Sequence, residues 1–238
     1  MKGMLDVQIS HEAARRTCLD QALAIEGPPE AIIETVKERG YKVRTVSKSP
    51  ASLVVSAHII RKILLSVLKR VPAAKDVLKG DRNAAVLNLL RTGKQLKGKR
   101  VVLSSDFEAA SDSIPFDLME SIVLALFEVL QLPQWAQKVV LKCIGTHKLI
   151  YPDGTYIFSK RGALMGEPLT WVILSLVHLF WIDYALRKAG KSPSDQPHGI
   201  CGDDLAGLFS PDVVMHYERV VKDCGCSFSA GKHLKSER

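Results

Sequence analysis

The feature that most limits how this chain can fold is the run Cys201-Gly202-Asp203-Asp204-Leu205, where two neighbouring carboxylates interrupt an apolar stretch. Gly199 to Cys201 and Leu205 to Phe209 read as short strands, so the acids fall on the turn of a hairpin. Apolar strands do not normally finish in two acids. Like charges this close repel, and the arrangement is costly unless a cation neutralises it. Oxygen-only carboxylate sites suit Mg²⁺, with Mn²⁺ as the alternative. Gly202 permits a turn sharp enough to aim both acids one way.

A second acid cluster follows another strand. Arg100 to Ser104 is extended and apolar, and Asp106 stands where it runs out, so its carboxylate can project from the sheet edge towards the hairpin tip. Two-metal phosphoryl transfer needs acids from separate strands converging on cations about 3.5–4 Å apart. Asp112, just before Pro115, has a second reading as a helix-start residue favoured by the helix dipole. The stretch Lys160 to Thr170 sets Gly162 and Gly166 in a loop leading into a helix, where backbone can approach a ligand and the helix N-terminus favours anions.

Charge is unevenly placed. Of a net +8, residues 37–100 carry 17 Lys/Arg against 3 Asp/Glu, a local +14 that leaves −6 elsewhere. A basic first half and an acidic remainder fit a protein that grips polyphosphate with one part and divalent cations with the other. With 47% hydrophobic side chains over 238 residues the chain can bury a large core, which excludes a disordered tail. The five cysteines are scattered, which excludes a disulfide scaffold and suits a reducing compartment. Cys224, Cys226 and His233 lack the second ligand pair of a zinc finger. The apolar run Leu169 to Ile182 is too short to span a bilayer, carries His178 and meets Asp183, and reads as a buried helix.

Element order follows from periodicity and breakers. A helix covers Ile9 to Ala24, and Gly27-Pro28-Pro29 ends it and starts a short second helix. Tyr41 to Ser47 alternates as a strand, and Pro50 opens an amphipathic helix to about Arg70 with Ile59, Ile60, Ile63, Leu64 and Leu68 facing a core. A helical piece spans Ala84 to Arg91, and Gly93 to Gly98 is a basic linker and candidate boundary. After the strand at Arg100 come helices from Pro115 and Pro133, then a hairpin turning at Asp153-Gly154. The long helix from Pro168, the acid hairpin, and a helix capped by Ser210 with Pro211 at its first position complete the order.

In that order the motifs become recognisable. Asp106-Phe107-Glu108-Ala109-Ala110-Ser111-Asp112 with Ile114 to Leu118 resembles motif A of the narnavirus, mitovirus, botourmiavirus and levivirus-like RNA-dependent RNA polymerases. Gly162 to Trp171, continued by Leu174, Ser175 and His178, is similar to their motif B, and Gly202-Asp203-Asp204 to motif C. Phe228 to His233 with Ser236 looks like motif D. Upstream, Arg39-Gly40-Tyr41-Lys42-Val43-Arg44 with Lys48 looks like the basic fingers motif F.

The resemblance implies an α+β fold: a right-hand polymerase palm, a small antiparallel sheet packed by helices, preceded by a partial, mostly helical fingers region. Residues 1–98 would be the fingers part and 99–238 the palm, with the thumb absent and supplied by a missing C-terminal segment or a separate chain. It implies Mg²⁺-dependent nucleotidyl transfer from NTPs on an RNA template, giving an RNA product during viral replication, in the host cytoplasm or mitochondrion and without a membrane span. Asp106 and Asp203 would be the principal metal ligands, with Asp204 assisting. Lys42, Arg44 and Lys48 would meet the triphosphate, and Asp112 the ribose of the incoming nucleotide. Gly162, Gly166 and Thr170 would line the nucleotide site, and Lys232 would serve the leaving pyrophosphate. Many viral polymerases carry Asn on the motif B helix to read the ribose; this helix has none, which leaves Ser175 or His178. Two rivals remain: a reverse-transcriptase-like palm enzyme, disfavoured by Asp112, and an RNA-binding module inactive alone.

Overall fold

The computed structural model describes residues 2–80, 82–95 and 98–237. In chain order it begins α1 (Lys2–Ala24), β1 (Glu30–Glu38), β2 (Lys42–Lys48), α2 (Ala51–Leu68), α3 (Pro72–Leu78) and α4 (Arg82–Gln95). Next come β3 (Val101–Ser105), β4 (Phe107–Glu108), α5 (Ala110–Ser113), α6 (Phe116–Leu130), α7 (Gln134–Ile144), β5 (Lys148–Ile150) and β6 (Tyr156–Phe158). The order closes with α8 (Thr170–Lys188), β7 (His198–Cys201), β8 (Asp204–Phe209), α9 (Pro211–Asp223), β9 (Ser227–Phe228) and β10 (Leu234–Glu237). The α+β class read from the sequence holds.

Two compact units interleave along the chain, one built from residues 1–63 and 116–170, the other from 64–115 and 171–238. The first carries the sheet order β2-β1-β5-β6. β1 and β2 form a hairpin in register from Ile32↔Lys48 to Glu38↔Lys42, while β1 runs parallel to β5 through Ala31↔Leu149. The stretch after Pro29 is therefore a strand where a short helix was expected. Ile32, Ile33, Thr35 and Val36 favour extended backbone, and strands on both sides take up its hydrogen bonds. The β5–β6 hairpin forms as read: Asp153 Oδ1 accepts from Thr155 N–H (2.9 Å) and Oγ1 (2.7 Å), fixing the turn. α6 buries Met119, Val123 and Phe127 at four-residue spacing and packs on α7.

The second unit is built on the sheet β10-β3-β8-β7. All its pairings are antiparallel, with Ser105↔Leu205 between β3 and β8 and Cys201↔Asp204 closing the β7–β8 hairpin. Along β3, Val101, Leu103 and Ser105 are buried and Val102 and Ser104 exposed, the alternation of a sheet covered on one face. α9 packs on β3 with Val213, Val214, Tyr217, Val220 and Val221 buried along one stripe.

α2 is long and apolar enough, by length and composition, to cross a membrane. Here it buries Leu53, Ala57, Ile60, Leu64 and Leu68 along one stripe, and Ile63 turns outward at 38% exposure, against expectation. α4 continues through Gly93 to Gln95, into the expected basic linker, whose residues 96 and 97 lie outside the described residues.

Candidate active site

Register alone brings the three acids to one end of the second unit's sheet. Ser105 pairs with Leu205, so Asp106, one step beyond β3, lies level with Asp204 at the start of β8, and Asp203 occupies the adjoining turn. The turn depends on Gly202, whose φ is +66°. A Cβ there would lie 2.6 Å from Trp171 Nε1, so backbone conformation and the approaching indole both demand glycine.

α8 holds this turn from beneath. Ser175 Oγ accepts from Gly202 N–H (3.2 Å), and His178 Nδ1–H donates to the Gly202 carbonyl (3.1 Å). Both side chains are buried, at 2% and 0% exposure, so neither is open to a ribose. Burial pushes the His178 pKa down to about 4, which keeps the ring neutral and leaves Nε2 as acceptor for the Tyr217 hydroxyl at 2.8 Å. The ring also packs against Phe107, centroids 5.0 Å apart. His178 is a core histidine that fastens the acid turn.

Lys232 arrives from the loop between β9 and β10, and its Nζ stands 2.8 Å from Asp106 Oδ2. The hydrogen bond and charge of Asp106 raise its pKa, and the charges of Asp204 and Asp203 add to the effect. One ammonium thus feels all three carboxylates. Asp106, Asp204 and Lys232, with Val86 and Leu89 of α4, also line a cavity of about 430 Å³. A larger cavity of about 640 Å³ shares Val77, Ala85, Leu89 and Gly199 with it but carries none of the three acids.

Among the described residues, no three His, Cys, Asp or Glu side chains gather as a preformed metal-holding group. The donor chemistry nevertheless fits a hard divalent cation: the carboxylates are oxygen donors from a strand end and a turn, and the one ammonium beside them offsets only part of their charge. Asp112 stands exposed on the short α5, where Ser111 Oγ donates to its Oδ1 (3.1 Å). Ala109, just before α5, takes a left-handed conformation (φ 47°, ψ 48°) that non-glycine residues adopt at a cost, and the chain bends there between Glu108 and Asp112.

In the first unit, Arg44 Nε pairs with Glu38 Oε1 (2.6 Å) and Lys48 Nζ with Glu34 Oε1 (2.8 Å), both carboxylates coming from β1. Of Lys42 only the backbone, in β2, is described. The end of β2 is tied to the glycine loop: Ser47 N–H (2.7 Å) and Oγ (2.9 Å) both donate to the Met165 carbonyl. A Cβ on Gly166, at φ +123°, would come 2.2 Å from the Ser47 carbonyl oxygen. Gly162 also has positive φ, +87°. Thr170 Oγ1 donates to the Leu164 carbonyl (2.6 Å), closing the loop on the first turn of α8. Next to it Glu167 is buried 4.0 Å from His147, and desolvation raises its pKa.

Sequence reasoning gave no role to Tyr217, Ser105 or His233. The one available signal was Tyr217 within the apolar stripe of α9, since a buried tyrosine hydroxyl needs a partner.

A sequence model of the family described as mitovirus RNA-dependent RNA polymerase matches residues 33–238. The RNA-directed RNA polymerase of Saccharomyces 23S RNA narnavirus is 37% identical over 217 residues, covering 87% of this chain and 23% of that protein. That of Saccharomyces 20S RNA narnavirus is 36% identical, covering 88% and 25%. The chain thus spans about a quarter of the length of these relatives. Among solved structures, the RNA-dependent RNA polymerase of a human picorbirnavirus is similar in fold, with a TM-score of 0.67 at 18% identity, over 87% of this chain and 42% of that one.

Proposed function

The chain belongs to the mitovirus RNA-dependent RNA polymerase family, and from that premise we propose that it carries the nucleotidyl-transfer centre of a viral RNA-directed RNA polymerase. The observation that carries the proposal is the strand register that sets Asp106, Asp203 and Asp204 at one end of the sheet, with Lys232 Nζ 2.8 Å from Asp106. The reaction is attack of the 3′-oxygen of a growing RNA on the α-phosphate of an NTP, with pyrophosphate leaving. A divalent cation, Mg²⁺ or Mn²⁺, held by Asp106 and Asp203 with Asp204 assisting, would neutralise phosphate charge and ease deprotonation of the attacking hydroxyl.

The chain's own groups supply the rest. Lys232 neutralises the acids when no other cation is present, and is the group proposed to donate a proton or charge to departing pyrophosphate. Asp112 accepts from the ribose 2′-hydroxyl, the group that distinguishes RNA precursors from DNA precursors. Lys42, Arg44 and Lys48 are assigned to the triphosphate. The pairs Arg44–Glu38 and Lys48–Glu34 are surface pairs worth only about 0–1 kcal/mol, so exchanging these carboxylates for phosphate is cheap. Gly162, Gly166 and Thr170 shape the loop that approaches the nucleotide.

In this reading residues 1–98 carry the partial fingers region and 99–238 the right-hand palm. The four-stranded sheet with the acids draws every strand from the second stretch, which supports that division. RNA template and product are the partners, and kinship argues for the host cytoplasm or mitochondrion. The deciding experiment is nucleotide incorporation on a primed RNA template with Mg²⁺, comparing this chain, a fusion supplying the remaining length of a narnavirus relative, and Asp203→Asn in each. Incorporation of NTPs but not dNTPs by the fusion, lost in the variant, is expected. dNTP incorporation would favour the reverse-transcriptase alternative, and tight RNA binding without incorporation the binding module.

A further inference from the structure

A set of hydrogen bonds runs beneath the acids of the second unit, buried at His178, Tyr217 and Ser105 and reaching the surface through His233, Glu218 and Lys235. The Gly202 carbonyl accepts from His178 Nδ1–H (3.1 Å), and the Tyr217 hydroxyl donates to His178 Nε2 (2.8 Å). Having spent its proton, the Tyr217 oxygen accepts from Ser105 Oγ–H (3.2 Å). Ser105 Oγ, its proton given to Tyr217, accepts from His233 Nδ1–H (3.1 Å), and Glu218 Oε1 accepts from His233 Nε2–H (2.7 Å) and from Lys235 Nζ (2.8 Å). Asp203, Asp106 and Lys232 are each one residue from a member of this set. Asp203 follows Gly202, Asp106 follows Ser105, and Lys232 precedes His233.

An apolar core would fill the same space without these groups. Burying a hydroxyl, an imidazole and a serine costs free energy unless each is satisfied, so a polar line here has to be complete to be tolerated. What it adds over an apolar filling is direction. It fixes a turn, a strand end and a loop that belong to three separate stretches of chain. Aromatic packing holds the line in place: the His178 and Tyr217 rings stack at 13° with centroids 5.8 Å apart, and Phe228 stacks on His233 at 4.0 Å.

We propose that Tyr217 is the hub positioning residue of the centre, its hydroxyl locking the Asp203 turn to the strand end bearing Asp106 and, through Ser105 and His233, to the loop bearing Lys232. This rests on the reading of these acids as a metal-holding centre, but the locking itself is measurable without that reading.

The test uses the full chain with Tyr217→Phe and Ser105→Ala, following backbone amide exchange and Mn²⁺ binding by electron paramagnetic resonance. In Tyr217→Phe, exchange should rise about tenfold or more both at residues 201–204 and at residues 229–233, with α9 and the centre of β8 unchanged. Mn²⁺ should bind several-fold more weakly, because site geometry loosens before the fold does. Ser105→Ala cuts one arm only, so residues 229–233 should loosen while the turn keeps its protection. Wild-type exchange at both segments in both variants overturns the proposal. So does faster exchange spread evenly over the sheet, which is a plain loss of stability. Should Tyr217→Phe fail to fold, Ser105→Ala decides by its one-sided pattern. Asp203→Asn with undiminished Mn²⁺ binding would instead remove the metal-centre reading and leave the exchange result standing.

Discussion

Lys232 Nζ stands 2.8 Å from Asp106 Oδ2, with its side chain 70% exposed and that of Asp106 only 18% exposed. The lysine reaches in from solvent to a carboxylate fixed at the sheet end, so it is the mobile partner. If these acids hold a divalent cation as proposed, the ammonium competes with it for the same charge. In Lys232→Ala, Mn²⁺ should therefore bind several-fold more tightly while nucleotide incorporation falls by about tenfold or more, the usual scale for losing a general acid. Weaker Mn²⁺ binding in that variant would make the lysine a structural part of the site.

Asp203→Asn keeps side-chain size and removes one charge from a partly exposed turn. Folding, followed by thermal melting, should change little, and RNA affinity should stay level or rise slightly. Incorporation in the fusion should drop by roughly 10²-fold or more, the scale of losing one transition-state charge contact. Retained incorporation would sink the ligand assignment.

Gly202→Ala should be far worse than Gly154→Ala, although both glycines have positive φ. At Gly154 nothing lies within 4 Å of the added Cβ, whereas at Gly202 it would meet Trp171 Nε1 at 2.6 Å. The expected losses are about 1 kcal/mol at Gly154 and about 2–4 kcal/mol at Gly202, from strain alone and from strain plus overpacking. Urea unfolding of the two variants measures the difference; equal losses would mean that the indole yields freely.

Arg44→Ala removes a surface ion pair with Glu38, so stability should move by no more than about 0.5 kcal/mol. NTP affinity should fall more than affinity for a template strand. A uniform fall in both, with a reduced salt slope, would mark Arg44 as a general RNA contact.

His178 sets a pH dependence. Its folded pKa, pushed down to about 4 by burial, lies below the unfolded value near 6.5, so the unfolded chain binds the extra proton first. Its contribution is present above about pH 6.5 and is lost as pH falls towards 4, amounting to about 3 kcal/mol for a shift of this size. The buried His147 and His198, also lowered by desolvation, act in the same direction. Glu167, whose pKa burial raises, acts oppositely, its contribution fading as pH climbs. Unfolding free energy measured from pH 4 to 7 should rise with pH, and His178→Gln should flatten that slope while lowering the value at pH 7. An unchanged slope would show that the ring is not neutral in the fold.

Most of what was legible in the sequence was local. The acid hairpin announced itself through two carboxylates between apolar strands, the Asp153-Gly154 turn through residue type, and α8 through its apolar run. β1 was misread because Gly27-Pro28-Pro29 was taken to start a helix, although its main partner β2 follows directly in the chain; its parallel partner β5 lies 118 residues away. Ser175 and His178 were visible as odd polar residues on an apolar helix, yet their attachment to Gly202 depends on how α8 lies under the turn. Tyr217, Ser105 and His233 escaped for the same reason: their mutual bonds span 112 and 128 positions.

β3 lies between β8 and β10, so its neighbours on both sides are made long after β3 itself. Ser105 waits for Leu205, and Ser104 for Leu234. At ~5–20 residues per second, the interval before the first of these partners leaves the ribosome is roughly 5–20 s, during which β3 has unpaired edges. Contacts so distant along the chain also make the later folding step slow. The acids therefore cannot be gathered before Leu205 and Leu234 have been made. A nascent chain holds Asp106 apart from Asp203 and Asp204 until β8 has emerged, and from Lys232 until the loop before β10 has followed.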